Sequence, residues 1–277
     1  MDEWKAYLEQ MKNSGIGKST NTTNESKPES LTTTTTDCGT ECPLCHGTGW
    51  VFTNYNTVKE CECGIRQREI QENRLKFASI PVNYKDVSLS DLRTSFYKKP
   101  ESKAVFKATA ELIKWYLEEL DKNIESGKGI YFWSDTKGSG KTMLATALAN
   151  ELIHKHKKMV KFATSLDILD EIRSTYDPHS EETESKLLSD LVNTEFLVID
   201  DFGTERATDW AGEKFYQIVN NRYINKKVTF YTSNCNLTTL KYDDRITNRI
   251  REKSYLVHFP EESVREYKAR TENRSVG

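Results

Sequence analysis

Residues 134–144 read SDTKGSGKTML. They follow the short apolar run Gly129-Ile130-Tyr131-Phe132-Trp133 and open a stretch rich in Ala and Leu, so the glycines fall where a strand feeds a helix N-terminus. Backbone N–H groups of residues 138–142 can converge there, and the helix dipole favours negative charge at that point. Lys141 adds a mobile cation for the β and γ phosphates of ATP, and Thr142 offers a hydroxyl to Mg2+. The expected phosphate cradle is thus Asp135, Thr136, Lys137, Gly138, Ser139, Gly140, Lys141, Thr142 and Met143. One position departs from the pattern G-x-x-x-x-G-K-[ST], which asks for Gly where the chain has Asp135. A carboxylate there repels a triphosphate unless it points away, and Asp enters positive φ less readily than Gly. The expectation is nucleotide binding, weakened by Asp135. The plainer alternative, a Gly/Ser turn with an incidental lysine, accounts for neither the preceding strand nor the following helix.

A second element bears on the same chemistry. Phe196-Leu197-Val198-Ile199 is a continuous apolar run, as expected of a strand buried on both faces, and it ends in Asp200-Asp201. Carboxylates at the C-terminal end of a central parallel strand face the ligand crevice. Asp200 is expected to hold Mg2+ through water, and Asp201 to orient or deprotonate an attacking water. The alternative is an Asp-Asp pair that merely begins a loop. Together with the glycine loop, the pair predicts a nucleotide hydrolase.

The 277 residues, 30% of them charged, with a mean hydropathy of −0.71, point to one full-sized domain plus a smaller one. No apolar stretch approaches a transmembrane length, and the opening MDEWKAYLEQ is too polar for a signal peptide, so the expectation is a cytoplasmic protein with no membrane partner. With 40 basic and 42 acidic residues, nucleic-acid binding requires a local patch and not a global field.

Five of the six cysteines lie between positions 38 and 63. In a reducing compartment such a group reads as metal ligands or free thiols sooner than as disulfides. Cys42-Pro-Leu-Cys45 and Cys61-Glu-Cys63 form two pairs separated by fifteen residues, a spacing that lets two knuckles converge on one tetrahedral Zn2+. His46-Gly47-Thr48-Gly49 supplies a tight turn, and Trp50-Val51-Phe52 a following strand. The second pair is C-x-C, which leaves Cys38 and His46 as substitute ligands. A redox-active or unpaired thiol set and a zinc used directly on nucleic acid are the competing readings. Cys235 reads as a small core or near-site residue.

Residues 1–13 place Trp4, Tyr7, Leu8 and Met11 on one helical face. Residues 14–37 are rich in Thr, Ser and Asn and read as a flexible linker. The tethered helix suits docking into a partner or packing on its own chain, and helical period does not choose. Residues 38–79 form the expected zinc-binding domain, with a basic helix over 66–77 that Ile80-Pro81 breaks. Residues 80–277 form the second domain. The expected order there is helix 101–121, strand 129–134, helix 141–156, strand 159–164, helix 166–175, a polar helical insertion near 180–192, strand 195–200, helix 209–224, strand 227–233, helix 242–252, strand 255–259 and helix 261–271. Alternating β and α elements predict a parallel, doubly wound α/β sheet.

From about Ile80 onward these motifs resemble the DnaC/DnaI-type helicase loaders, relatives of the IstB transposition helpers within the AAA+ ATPases. The resemblance rests on Val198-Ile-Asp-Asp-Phe-Gly-Thr-Glu205, Asp209-Trp-Ala, Asn221-Arg-Tyr and Thr232-Ser-Asn234. It implies that Asn234 is the sensor residue holding the hydrolytic water or the γ-phosphate. Asp244-Arg245-Ile-Thr-Asn-Arg249 matches the segment that reaches a neighbouring subunit's ATP, with Arg249 as the finger and Arg245 in support. Such a trans arginine requires an oligomer. Both also read as a solvated helix face. Glu262-Ser-Val-Arg265 matches a second sensor segment, with Arg265 on the γ-phosphate in cis and a short C-terminal helical lid. The N-terminal C-P-x-C-x-G-T-G-W knuckle is similar to the adaptor domain of the DnaI side.

The resemblance thus implies a loader that grips a replicative DNA helicase and delivers it to single-stranded DNA as an ATP-dependent homo-oligomer. Lys157, Lys158 and Lys161, or Arg173 and Tyr176, are candidate contacts to single-stranded DNA, or simply a solvated basic surface. An IstB-like helper of a transposase or another DNA-remodelling enzyme is the second reading. A non-hydrolysing adaptor or inhibitor of a replication protein is the third, favoured only by Asp135.

Overall fold

The computed structural model describes residues 42–54, 57–180, 183–205, 208–267 and 269. The expected helix 1–13, linker 14–37, Cys38 and the end of the helix expected over 261–271 lie outside the described residues. The chain divides into two compact units, Met1–Glu69 and Ile70–Gly277. The sequence placed this boundary ten residues later, between 79 and 80.

In the first unit, β1 (Trp50–Asn54) pairs antiparallel with β2 (Thr57–Glu60), Trp50 standing opposite Glu60. The sequence anticipated β1 but not β2, whose four residues are all exposed and carry no alternating apolar signal. Helix α1 (Ile65–Ala78) follows, and the division between the units falls within it.

After the end of α1, the second unit continues with α2 (Pro100–Glu118), started by Pro100 in its first turn. The single helix expected over 101–121 is interrupted at Glu119 (φ −102°, ψ 25°) and resumes as α3 (Leu120–Ser126). The interruption is stabilised by Asn123, a buried amide that donates to the Tyr116 carbonyl at 3.1 Å. Five strands follow: β3 (Gly129–Trp133), β4 (Val160–Thr164), β5 (Phe196–Asp200), β6 (Val228–Ser233) and β7 (Ser254–His258). Between them run α4 (Lys141–His154), α5 (Ser165–Ser174), α6 (Glu184–Asn193), α7 (Asp209–Ile224) and α8 (Asp244–Glu252). The segment read as a polar insertion near 180–192 is α6, which buries Leu187, Leu188 and Leu191 in the core.

All pairings in this sheet are parallel, in the order β4-β5-β6-β3-β7. The chain leaves β3 toward one edge and returns past it to β7, so the order switches beside β3, where α/β sheets open a ligand crevice. Phe196, Leu197, Val198 and Ile199 are fully buried, which stabilises the sheet by about 1.5–3 kcal/mol for each side chain. Gly129 is required by close backbone approach, since a Cβ there would lie 1.9 Å from the Thr229 carbonyl oxygen. Arg222 is fully buried and spends its guanidinium on the Leu191, Val192, Thr194 and Val228 carbonyls and the Thr229 hydroxyl, which ties the end of α6 to β6. No helix among the described residues is long and apolar enough to cross a membrane.

Candidate functional site: a phosphate cradle above the sheet and a four-cysteine cluster

The loop between β3 and α4 turns through two glycines with positive φ, Gly138 (75°) and Gly140 (106°). A Cβ on Gly138 would stand 3.0 Å from Ser263 Oγ and 3.1 Å from Arg265 Cβ. Asp135, by contrast, is not among the residues with positive φ. The conformational objection to Asp at this place in the pattern therefore falls away. Its backbone N–H donates to Glu261 Oε1 at 3.0 Å, and its side chain is exposed.

Lys141 is only 5% exposed, and its ammonium donates to the Ser134 and Thr136 carbonyls and to Ser139 Oγ at 3.1–3.3 Å. All three acceptors are neutral, and burial holds its pKa below the ordinary lysine value. A desolvated cation with neutral partners, at a helix N-terminus, suits an incoming polyphosphate. Lys137 is exposed, whereas Thr136, Gly138, Gly140, Thr142 and Met143 are partly buried.

At the end of β5, Asp200 is 5% exposed and accepts from Thr232 Oγ1 at 2.6 Å and from Thr142 Oγ1 at 3.2 Å. Burial pushes its carboxyl up to about 6, against the two hydroxyl donors. Thr142 and Asp200 thus present a hydroxyl and a buried carboxylate side by side, a donor set that fits Mg2+. Asp201 adopts φ 52°, a left-handed conformation costly for a non-glycine residue. Thr232 Oγ1 accepts its N–H at 2.9 Å, Thr204 Oγ1 donates to its carbonyl at 2.8 Å, and Ser165 Oγ lies 3.1 Å from that carbonyl. Its exposed side chain stands 3.5 Å from Asn234 Nδ2.

The structure brings Lys141, Thr142, Asp200, Asp201 and Asn234 together at one end of the sheet. Arg265 joins them through its backbone, since the Val264 and Arg265 N–H groups both donate to the Gly138 carbonyl. It does not bring Arg245 and Arg249 there. Arg245 pairs with Asp243 at 3.0 Å and lies 4.8 Å over the Tyr216 ring. Arg249 lies over Tyr216 and Tyr223 and lines a recess with Gly127, Lys253 and Ser254, at the opposite end of β3 and β7.

Three contributors escaped the sequence reading. Thr232 holds the Asp200 carboxyl and the Asp201 backbone N–H on one hydroxyl and sits in the quoted Thr232-Ser-Asn234 stretch, so local pattern pointed near it. Tyr97 is buried and donates to the Ser139 carbonyl at 2.8 Å. Glu261 accepts from Asp135 N and Thr136 N at 3.0 and 2.8 Å and from His258 Nε2 at 2.8 Å. No local signal links Tyr97 or Glu261 to a loop so distant in the chain.

In the first unit the sulfurs of Cys42, Cys45, Cys61 and Cys63 lie within 4.8 Å of one another, with Cys42–Cys61 at 3.7 Å and Cys45–Cys63 at 3.6 Å. Four thiolates at about 2.3 Å from one tetrahedral zinc would be about 3.8 Å apart, so the cluster fits that ion. The Cys42 thiol is drawn down to about 6 by the backbone N–H groups of Cys45 and Leu44. His46 is exposed, turns with φ 48° and is not part of the cluster. Cys235 lies apart, partly buried against the core of the second unit.

A parallel β4-β5-β6-β3-β7 sheet with this loop and this strand-end carboxylate pair defines an AAA+ P-loop ATP-binding protein. The model of the IstB-like ATP binding protein family matches residues 58–271, and the chain belongs to that family. It is 33% identical over 138 residues to the replicative helicase loader DnaC of Escherichia coli (strain K12), covering 49% of this chain and 54% of that protein. It is 28% identical over 229 residues to the phage-like element PBSX protein XkdC of Bacillus subtilis (strain 168), covering 78% and 81%. The chain spans about half the length of the helicase-loader relatives it matches. The crystal structure of the DnaC helicase loader superposes with a TM-score of 0.54 and 25% identity over 65% of this chain and 99% of that one. AMPPCP-bound DnaA from Aquifex aeolicus shares the fold, with a TM-score of 0.52 and 19% identity over 71% of this chain and 56% of that one.

Proposed function

We propose that the protein is an ATP-dependent loader that places a hexameric replicative DNA helicase onto single-stranded DNA. The observation that carries this reading is the buried Lys141 and the partly buried Thr142 beside Asp200, Asp201 and Asn234, in a domain similar in sequence to a helicase loader. Lys141 would balance charge on the transferred phosphoryl group, Thr142 and Asp200 would hold Mg2+, Asp201 would orient or deprotonate the attacking water, and the Asn234 amide would hold that water or the γ-phosphate. The bound metal supplies neutralisation of the phosphate charge.

Arg249 acts on a neighbouring copy in this reading, with Arg245 in support. Its side chain is only partly buried, and its Nη1 donates to the Arg245 carbonyl at 2.7 Å. Arg265 approaches the γ-phosphate in cis. Cys42, Cys45, Cys61 and Cys63 hold a structural Zn2+ in an adaptor domain that grips the helicase, and four thiolates leave no open position for chemistry.

Among the candidates for single-stranded DNA, the surroundings of each side chain favour Arg173 and Tyr176. Lys158 is paired with Glu195 at 3.0 Å, and Lys161 is engaged by Ser79 and by the Phe77 ring. Arg173 and Tyr176 instead meet Trp210: the guanidinium lies 4.7 Å over the indole, Trp210 Nε1 donates to Tyr176 OH at 3.3 Å, and Tyr176 is 53% exposed. Aromatic faces beside a guanidinium suit stacking of unpaired bases. The loader would act in the cytoplasm.

The family match favours one further reading, an IstB-like ATPase that assists a transposase. Capture of a replicative helicase by the full chain with ATP and Mg2+ separates the two. The loader reading expects a stable helicase complex. ATP-dependent assembly on duplex DNA without helicase capture would replace it with the transposition reading.

A further inference from the structure

Glu205 is a carboxylate only 8% exposed, and every group that donates to it is neutral. Ser165 Oγ donates to Oε2, the Gly203 N–H lies 3.1 Å from both oxygens, and the Tyr242 hydroxyl donates to Oε1. Burying a carboxylate without a cation is costly unless its lone pairs are satisfied, and here hydroxyl and backbone donors satisfy both oxygens. Burial beside this carboxylate also raises the pKa of Tyr242, which keeps its hydroxyl a donor.

The donors come from three separate places. Ser165 is the first residue of α5, and its Oγ also lies 3.1 Å from the Asp201 carbonyl. Gly203 closes the turn that begins at Asp201. Tyr242 precedes α8, the helix bearing Arg245 and Arg249, and its ring stacks on Phe202 with centroids 5.1 Å apart and meets Phe215 edge-on at 5.8 Å. One buried carboxylate thus joins the turn of the water-facing Asp201 to the lead-in of the arginine helix. Asp201 needs such bracing, because its left-handed φ of 52° persists only where surrounding bonds over-determine it.

We propose that Glu205 is a positioning residue for ATP hydrolysis, which fixes the turn that aims Asp201 and, through Tyr242, couples that turn to the helix carrying Arg245 and Arg249. The inference rests on the ATPase reading above. Two acceptor oxygens serve three donors here: a glutamine of the same shape keeps one oxygen, and its amide either faces the Gly203 N–H or turns a hydroxyl from donor to acceptor. The phosphate cradle lies on a different loop, so nucleotide affinity is left intact while turnover suffers. A displacement of about 1 Å at a reacting group costs on the order of a hundredfold in rate.

The test uses the full chain, its helicase partner and single-stranded DNA, with Glu205→Gln and Tyr242→Phe. Three quantities are read: hydrogen exchange at the Gly203 amide without nucleotide, affinity for a non-hydrolysable ATP analogue, and kcat. Both variants are expected to exchange Gly203 at least about tenfold faster, bind the analogue within about twofold of wild type, and lose about tenfold to a hundredfold in kcat. Wild-type kcat with only a lowered Tm, or equal losses of affinity and kcat, would overturn the inference. Should Glu205→Gln fail to fold, Tyr242→Phe keeps both ring contacts and carries the same three readouts. Unchanged Gly203 exchange in a folded variant sinks the positioning role alone, whereas a wild-type chain that hydrolyses no ATP with both partners present sinks the ATPase reading.

Discussion

Thr232→Val keeps the side chain's shape and its strand preference while deleting one hydroxyl. That hydroxyl donates to Asp200 Oδ1 at 2.6 Å and accepts from Asp201 N at 2.9 Å, in a fully buried position. Losing a hydrogen bond to a buried carboxylate costs about 1.5–3 kcal/mol, and leaving the Asp201 N–H unpaired adds about 1–3 kcal/mol. Thr142 Oγ1 remains on Oδ2 at 3.2 Å, so the carboxylate keeps one hydroxyl donor and the loss lies toward the lower end of these ranges. A net destabilisation of about 3 kcal/mol corresponds to a Tm lowered by roughly 6–12 °C for a domain of this size. Thermal unfolding of the nucleotide-free chain, followed by circular dichroism, measures it. A Tm within about 2 °C of wild type would refute the view that Thr232 holds the two carboxylate residues in place.

Lys141→Ala is expected to leave the nucleotide-free Tm nearly unchanged, because the buried ammonium has only neutral acceptors. It should abolish the rise in Tm that ATP gives the wild type, about 2.7 kcal/mol of stabilisation at a hundredfold excess over Kd, as a thermal-shift titration would show. Metal analysis should find one zinc per chain and none after Cys61→Ser, with helicase capture lost in the same variant. Tyr176→Ala should weaken binding of single-stranded DNA by about 1–3 kcal/mol in fluorescence anisotropy, whereas Lys161→Ala, whose ammonium is already engaged by Phe77 and Ser79, should change it less.

What the sequence revealed and concealed follows from how local each signal is. The glycine loop, the apolar strand ending in Asp200-Asp201 and the paired cysteines are contiguous patterns, and each lies where its period and spacing placed it. The parallel sheet followed from alternation of elements. The break at Glu119 escaped because it depends on Asn123 reaching the Tyr116 carbonyl, a choice invisible to helical period. Likewise α6 looked polar, yet its three leucines share one buried face. Asp135 looked like a flaw because the pattern asks for glycine, and the backbone at that place proves undemanding. Glu261 and Tyr97 reach the glycine loop, and Glu205 reaches Ser165 and Tyr242, through contacts far apart in sequence, which no window of neighbouring residues contains.

Helicase loading itself tests the central claim most directly. Full-length protein, a replicative helicase hexamer, protein-coated circular single-stranded DNA and ATP are mixed, and unwinding of an annealed strand is followed in time. The account predicts that unwinding starts only when the chain is added, and that Lys141→Ala and Arg249→Ala each reduce it to the level of helicase alone. Unwinding by the helicase that is indifferent to the wild-type chain, or equally stimulated by Lys141→Ala, would contradict it.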